Sequence, residues 1–262
     1  MNKISLSIEE LIYCFYNEGY FEHGNALKQV YFGDLDDEKM DLLLQITTRS
    51  LLSKNLLVYE NHKFMLVKEL AEIISMLNYS EQSIKASRHG FNGSEESVSF
   101  HFEGDKILQH SLLYDEQVHV FEQVSGEAVA ELISDFYRLS NNNNGSRRGF
   151  ELSQAELEQL LDSLENNQQL FELPVMHGEK QEFYETLKRT KGLVNTLLFM
   201  EFTEQKEPVA KNVVLFTNDN KNNWIIEKVD DVFQINHGTS IKVEQLIREN
   251  VIESLEKVKY GK

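Results

Sequence analysis

Residues 98–124 read VSFHFEGDKILQHSLLYDEQVHVFEQV. Three runs rich in Val, Ile, Leu and Phe are separated by Gly104–Asp105 and Asp115–Glu116, which are turn-forming pairs, so the stretch predicts strands at Val98–Glu103, Lys106–Tyr114 and Gln117–Val124. Side chains alternate between faces along a strand, and the turns set the register. One face then carries Val98, Phe100, Phe102, Ile107, Leu113, Val118, Val120 and Val124, a core pattern. The other carries Ser99, His101, Glu103, Leu108, His110, Leu112, Tyr114, His119 and Phe121. That mixture is too polar for plain core and too apolar for plain solvated surface, so it is either covered by another part of the chain or presented to a partner.

Ser125 and Gly126 then open a helix over Glu127–Leu139. The same series recurs downstream, with strands at Val213–Thr217, Trp224–Val229 and Val232–Ile235. A last helix follows, capped at Thr239 or Ser240, with an apolar stripe of Val243, Leu246, Ile247, Val251 and Leu255. Phe121 and Phe233 stand at the same distance ahead of Gly126 and Gly238. A second echo lies at the start of each half. Leu6-Ser7-Ile8-Glu9-Glu10-Leu11 is matched by Leu152-Ser153-Gln154-Ala155-Glu156-Leu157, and in both the serine and the glutamate three residues on form a capping box. Two series in the same order predict an internal duplication. The halves are residues 1–139 and 150–262, joined by an Asn-rich linker over 140–149.

Inside the first half, the helix starting near Ser7 stops at Gly19, and Tyr20 to Gly33 reads as a loop. A second helix starts at Asp34 or Asp36 and carries Met40, Leu43, Leu44, Thr47, Leu51 and Leu52. A hairpin around Asn61–His62 and a helix over Lys68–Leu77 complete a winged-helix outline within residues 1–80. Residues 83–97 read as a loop. In the second half a helix spans Gln154–Glu165, Leu170–Val175 is extended, a polar helix runs from Glu179 to Lys191 with Gly192 as its stop, and Leu193–Phe202 is a buried strand.

Charge and composition narrow the function. The formal charge of −17 over 262 residues disfavours nucleic acid, because phosphate binding needs clustered Lys and Arg. Within residues 1–80 seven Lys/Arg face twelve Asp/Glu, so the winged-helix outline carries the wrong sign for a duplex. Cys14 is the single cysteine and sits on an apolar helix, which excludes an intramolecular disulfide or a cysteine-based zinc cage. The start of the chain has no apolar export segment, and no apolar run is long enough to insert stably in a membrane, which predicts a cytoplasmic protein. His101, His110 and His119 share a sheet face but lie diagonally on neighbouring strands, and a metal site needs convergence. No phosphate-cradling glycine loop and no Gly-x-Ser-x-Gly elbow occurs, so neither an enzyme nor a cofactor is expected.

A capped N-terminal helix, helical segments, strands and a helix, then the same series again, resembles the EspG fold of type VII secretion chaperones. The resemblance runs from Leu6 to Leu255 and is most similar to EsaE-like proteins of Gram-positive bacteria. It implies an α+β fold with a central antiparallel sheet flanked by two helical bundles and pseudo-twofold internal duplication. It also implies a cytosolic chaperone or adaptor that keeps a helical secretion substrate, such as a helical hairpin or a toxin targeting region, soluble for export. Leu108, Leu112, Tyr114, His119 and Phe121 on the mixed face are the expected partner contacts, with packing inside the protein as their alternative role. An immunity protein that neutralises a toxin and a winged-helix transcriptional regulator are the competing functions.

Overall fold

A computed structural model of the chain describes residues 3–89, 94–139, 149–165, 177–203, 207–219 and 222–252. The class is α+β with antiparallel strands, and the chain divides into two compact units. Unit 1 gathers Met1–Ser83, Val98–Ser125 and Glu204–Glu207, and unit 2 gathers Ile84–Ser97, Gly126–Thr203 and Pro208–Lys262.

Unit 1 opens with a short strand β1 (Ile4–Ser7) leading directly into α1 (Ile8–Asn17). The capping box is formed: the Ser7 amide donates to Glu10 Oε2 at 2.8 Å and the Glu10 amide donates to Ser7 Oγ at 3.3 Å. Glu10 is nevertheless a buried residue. Its carboxylate also accepts from Ser50 Oγ at 2.7 Å and pairs with Lys54 Nζ at 2.6 Å. Next come α2 (Phe21–Phe32) and α3 (Asp37–Ser53), the latter capped by Asp36, whose side chain accepts from the Lys39 amide. The hairpin β2 (Leu57–Glu60) and β3 (Lys63–Leu66) turns through Asn61 and His62, both at positive φ, and α4 (Lys68–Tyr79) follows.

The sheet of unit 1 has the hydrogen-bonded order β1-β7-β6-β5, with β5 (Glu95–Glu103), β6 (Lys106–Leu113) and β7 (Val118–Val124). Its register agrees with the sequence reading: Phe102 pairs with Ile107, His110 with Phe121 and Ser111 with Val120. Ile4, Leu6, Leu108 and Phe121 of the sheet pack with Leu11, Cys14 and Phe15 of α1 and with Leu70, Ile73 and Ile74 of α4 in one buried cluster. Burial raises the Cys14 thiol far above its ordinary range, so it is a core group and not a nucleophile.

Unit 2 contains β4 (Gln82–His89), α5 (Gly126–Phe136), β8 (Phe150–Ser153), α6 (Gln154–Glu165), α7 (Glu179–Arg189), β9 (Asn195–Phe202), β10 (Pro208–Asn218), β11 (Asn223–Val229), β12 (Val232–His237) and α8 (Ser240–Ile247). Its strand order is β4-β9-β10-β11-β12-β8. Leu157 and Leu160 of α6 and Phe183 and Leu187 of α7 cover Leu152, Trp224, Ile226 and Ile235 of the sheet. Trp224 meets Phe183 edge-on at 5.6 Å, and its indole donates to Thr186 Oγ1 at 3.3 Å, which satisfies the one polar atom of a fully buried ring. The second capping box is also formed, with Ser153 N to Glu156 Oε2 at 2.8 Å and Glu156 N to Ser153 Oγ at 3.3 Å.

The registers place the duplication on a firmer alignment than the phenylalanine pair. Ser7 pairs with Val118 and Ser153 with Val232, so superposing the capping boxes carries His119 onto Phe233 and Phe121 onto Ile235. The same step brings Gly126, the first residue of α5, onto Ser240, the first of α8. The equal spacing of Phe121 and Phe233 from their glycines is therefore a coincidence two residues out of register. Continuing across the sheet, Leu113 falls on Val229, His110 on Ile226, Leu108 on Trp224 and His101 on Thr217. Both copies thus bury the corresponding sheet face beneath their own helices.

Three segments differ from the sequence reading. Residues 20–33 form α2 and not a loop. The helix is mostly exposed and only weakly amphipathic, so periodicity does not reveal it. It is seated by Gly24, where a Cβ would lie 2.6 Å from Tyr16 Cε1, and by Tyr16 Oη donating to Asn25 Oδ1 at 2.9 Å. Residues 83–97 contain β4 and the start of β5. β4 reads QSIKASRH, polar by composition but with Ile84 and Ala86 fully buried. β1 and β8, four residues each, are too short to show alternation. The Asn-rich linker, Leu170–Val175 and Leu255 lie outside the described residues or nearly so. No helix among the described residues is long and apolar enough to cross a membrane.

The two capping boxes give an internal control. Glu156→Ala removes an exposed cap and should cost about 1 kcal/mol in urea unfolding, the usual value of a helix cap. Glu10→Ala also removes the acceptor of Ser50 and the partner of Lys54 and should cost about 3 kcal/mol, the cap plus a charged hydrogen bond. Equal losses would contradict the structural difference between the boxes.

Candidate partner-binding surface

The fold distributes the five expected contact residues unevenly. Leu108, Phe121 and His119 are buried on the sheet face that the unit 1 helices cover. Leu112 is half-buried at the rim of that face, and Tyr114 is 76% exposed in the β6–β7 turn. In the turn, Tyr114, Asp115 and Glu116 all have positive φ, an uncommon conformation for three successive side-chain-bearing residues. The Gln117 amide closes it on the Tyr114 carbonyl at 3.3 Å. The equivalent β11–β12 turn is the two-residue Asp230–Asp231, between paired Val229 and Val232, so unit 1 carries two additional residues here.

The histidines form a ladder across the covered face. His101 and His110 have ring centroids 6.0 Å apart, His110 and His119 5.1 Å, and His110 stacks on Phe121 at 4.7 Å. His110 Nε2 and His119 Nδ1 share a hydrogen bond of 2.9 Å. Two nitrogens at that separation share a proton and leave no space for an ion between them, since each would need to approach a metal to about 2.0–2.1 Å. Both nitrogens of His101 and Nε2 of His119 are buried without a hydrogen-bond partner. Burial lowers His101 and His119 from 6.5 to about 4, and for His119 nearby Glu116 opposes the shift. His110 is lowered as well, first by burial and then by its two histidine neighbours. The second repeat has Thr217, Ile226 and Phe233 in these places, so the fold itself does not require histidine.

The larger asymmetry between repeats lies ahead of the sheet. In the first, residues 18–67 separate α1 from α4; in the second, only residues 166–178 separate α6 from α7. The extra length of the first holds α2, α3 and the β2–β3 hairpin. These elements display Phe21, Val30, Leu42, Ile46, Val58, Tyr59, Phe64 and Met65, half of the exposed large apolar side chains among the described residues. Tyr59 and Phe64 pair across the hairpin at 4.8 Å. Between α1 and α3 lies a groove of about 450 Å³ with Leu42, Leu43 and Ile46 on its wall and Thr47, Ser50 and Glu10 among its polar lining. The two additions meet: Tyr31 Oη at the end of α2 donates to Glu116 Oε2 of the longer turn at 3.1 Å. Sequence reading singled out Tyr114 and Leu112 as contacts and passed over Leu42 and Ile46, because an apolar side chain at helical spacing looks the same whether buried or open.

The histidine ladder has a pH consequence. Depressed folded-state values mean the unfolded chain binds more protons, so the ladder's stabilisation is complete above about 6.5 and is lost as pH falls toward 4, at about 1.4 kcal/mol per pH unit for each histidine. His119→Phe and His110→Ile, which copy the second repeat, should each flatten the urea midpoint's fall between pH 6.5 and 4.5. An unchanged slope in both would contradict the burial of these rings.

Comparison with known proteins places the chain. A family model described as "Uncharacterised protein YfjC" matches residues 3–247. The Bacillus subtilis (strain 168) protein of the same description is 31% identical over 231 residues, covering 86% of this chain and 91% of the relative. Among solved structures, the chaperone in "Structure of the Mycobacterium tuberculosis type VII secretion system chaperone EspG5 in complex with PE25-PPE41 dimer" superposes with a TM-score of 0.60 over 96% of both chains at 9% identity. At that identity the likeness is one of fold, and it makes the α+β architecture EspG-like. With the family model and the Bacillus relative both spanning most of the sequence, the chain belongs to the YfjC family.

Proposed function

We propose that the protein is a cytoplasmic adaptor that binds a helical secretion substrate and keeps it soluble for a type VII export machine, the role its EsaE-like outline implies. One observation carries the reading: the fold is shared, over nearly the full length of both chains, with a type VII chaperone whose solved complex contains a PE25–PPE41 dimer. The asymmetry of the repeats fits the role, since the first copy carries exposed apolar elements between α1 and α4. The contact surface is the elaborated side of unit 1, with Tyr114 and the rim residue Leu112 touching the partner. Leu108, His119 and Phe121 support that surface from within the core. The activity is binding and release, with no chemical step.

The test is dependence of a partner's export, in the native bacterium. Deleting the gene should leave a secreted helical protein insoluble or unexported, and Leu112→Glu with Tyr114→Glu should weaken its co-purification at least tenfold without lowering the melting temperature. An export profile unchanged by deletion would overturn the adaptor reading. A partner that is a toxin whose enzymatic activity is blocked would replace it with the immunity function.

A further inference from the structure

We propose that His237 and Glu179 form a proton-operated latch: when His237 takes up a proton, it closes an ion pair that seats the first turn of α7 against the end of β12. The inference concerns unit 2 alone and stands apart from the adaptor reading. Its basis is a pair of polar groups left open inside the fold. His237 Nε2 stands 3.7 Å from Glu179 Oε1, beyond hydrogen-bond length, and the two side chains are 24% and 25% exposed. His237 Nε2 and the second carboxylate oxygen, Glu179 Oε2, are buried without a hydrogen-bond partner. Buried polar groups are ordinarily paired, and here a proton is what makes the two complementary. A neutral imidazole gives this carboxylate no charge to pair with, whereas an imidazolium makes a charge-assisted bond. Trp224 adds to the preference. Its ring centroid lies 4.1 Å from that of His237, a distance at which an indole attracts a cation.

The two ends of α7 are fastened differently. At the last turn Arg189 pairs with Asp219 at 2.5 Å, and Thr190 Oγ1 meets Thr217 Oγ1 at 3.3 Å, contacts that involve no histidine. At the first turn the N-cap is Gly178, which supplies no side-chain bond, so Glu179 is the group placed to fasten that end. Other charges near the ring are turned elsewhere. Lys180 of α7 lies over Phe150 at 5.8 Å and acts on Glu156 of α6, and Lys228 of β11 lies over Phe233, four residues back along β12. Glu151 and Glu227 are paired in register with Gln234, which alternation puts on the opposite face from His237. His177 is exposed ahead of Gly178, and Glu182 follows Glu179 on the first turn. The latch tightens α7 as pH falls, opposite in sign to the histidine ladder of unit 1, whose stabilisation is lost as pH falls.

Trp224 is the single tryptophan of the chain, so fluorescence of the full chain reads this site directly. An imidazolium in contact with an indole quenches it, and emission should fall between about pH 8 and about pH 5, the range in which histidine changes charge. His237→Gln should abolish the transition. Glu179→Gln should keep the quenching but move it to lower pH, because the imidazolium has lost its partner. Amide exchange, corrected for its intrinsic pH dependence, should slow severalfold in the first turn of α7 on going to about pH 5 in the parent chain and in neither variant, with the last turn unchanged. Both substitutions keep side-chain size and should leave the melting temperature at about pH 8 unaltered, since the latch is open there. A fluorescence transition that survives in His237→Gln, a Glu179→Gln transition at the parent pH, or protection gained equally at both ends of α7 overturns the latch.

Discussion

The carboxylate of Glu10 is the interaction on which unit 1 depends. It caps the first turn of α1, accepts from Ser50 and pairs with Lys54, whose ammonium also reaches the Ser5 carbonyl at 3.2 Å. One side chain thereby joins the strand that edges the sheet, the helix that covers it and α3. A buried carboxylate is costly unless its oxygens are satisfied, and here three donors satisfy them. The equivalent Glu156 retains only the capping function and is exposed, with its acidity strengthened by the Ser153 backbone and hydroxyl. The shared motif serves in the first copy as an anchor for α3 as well.

That contrast runs through the chain. Each repeat has a short strand, a capped helix, a second helix, four strands and a closing helix. Paired registers carry one onto the other, and the covered sheet face is preserved: Leu6 with Leu152, Leu108 with Trp224, Phe121 with Ile235. What is not preserved is concentrated in the first copy. It has α2, α3, the β2–β3 hairpin, the longer 114–117 turn and three histidines in place of Thr217, Ile226 and Phe233. Departure from a repeat locates what the scaffold alone does not demand, and the departures include most of the exposed apolar side chains on unit 1.

Much of this was legible in the sequence, for physical reasons that differ by element. The β5–β7 register followed from turn pairs at 104–105 and 115–116, and the strand residues were sorted onto the right two faces, except Tyr114, which lies in the turn and not on the strand. The capping boxes were legible because Ser and Glu three apart have one structural use before an apolar helix. α2 was not legible, since Gly24 and an exposed face erase its periodicity, and β4 was hidden by Gln82, Lys85, Ser87 and Arg88, polar residues around the buried Ile84 and Ala86. The mixed sheet face was left open between cover and display, because three histidines among Leu108, Leu112 and Phe121 suit either. In the fold they are stacked and covered, and burial lowers the pKa of each. Of the proposed contact surface, the sequence pointed to Leu112 and Tyr114 and passed over Leu42 and Ile46, whose exposure is a property of what α3 packs against, not of α3 itself.

The central claim is that the partner is held by the elaborated copy and not by its plainer counterpart. Amide hydrogen exchange of the full chain, alone and in complex with its co-purified partner, tests this most directly. The account predicts added protection in α3, in α2 and in the 114–117 turn, with α6 and α7 unchanged. Protection centred on α6 and α7, with α3 and the turn unaffected, would contradict it.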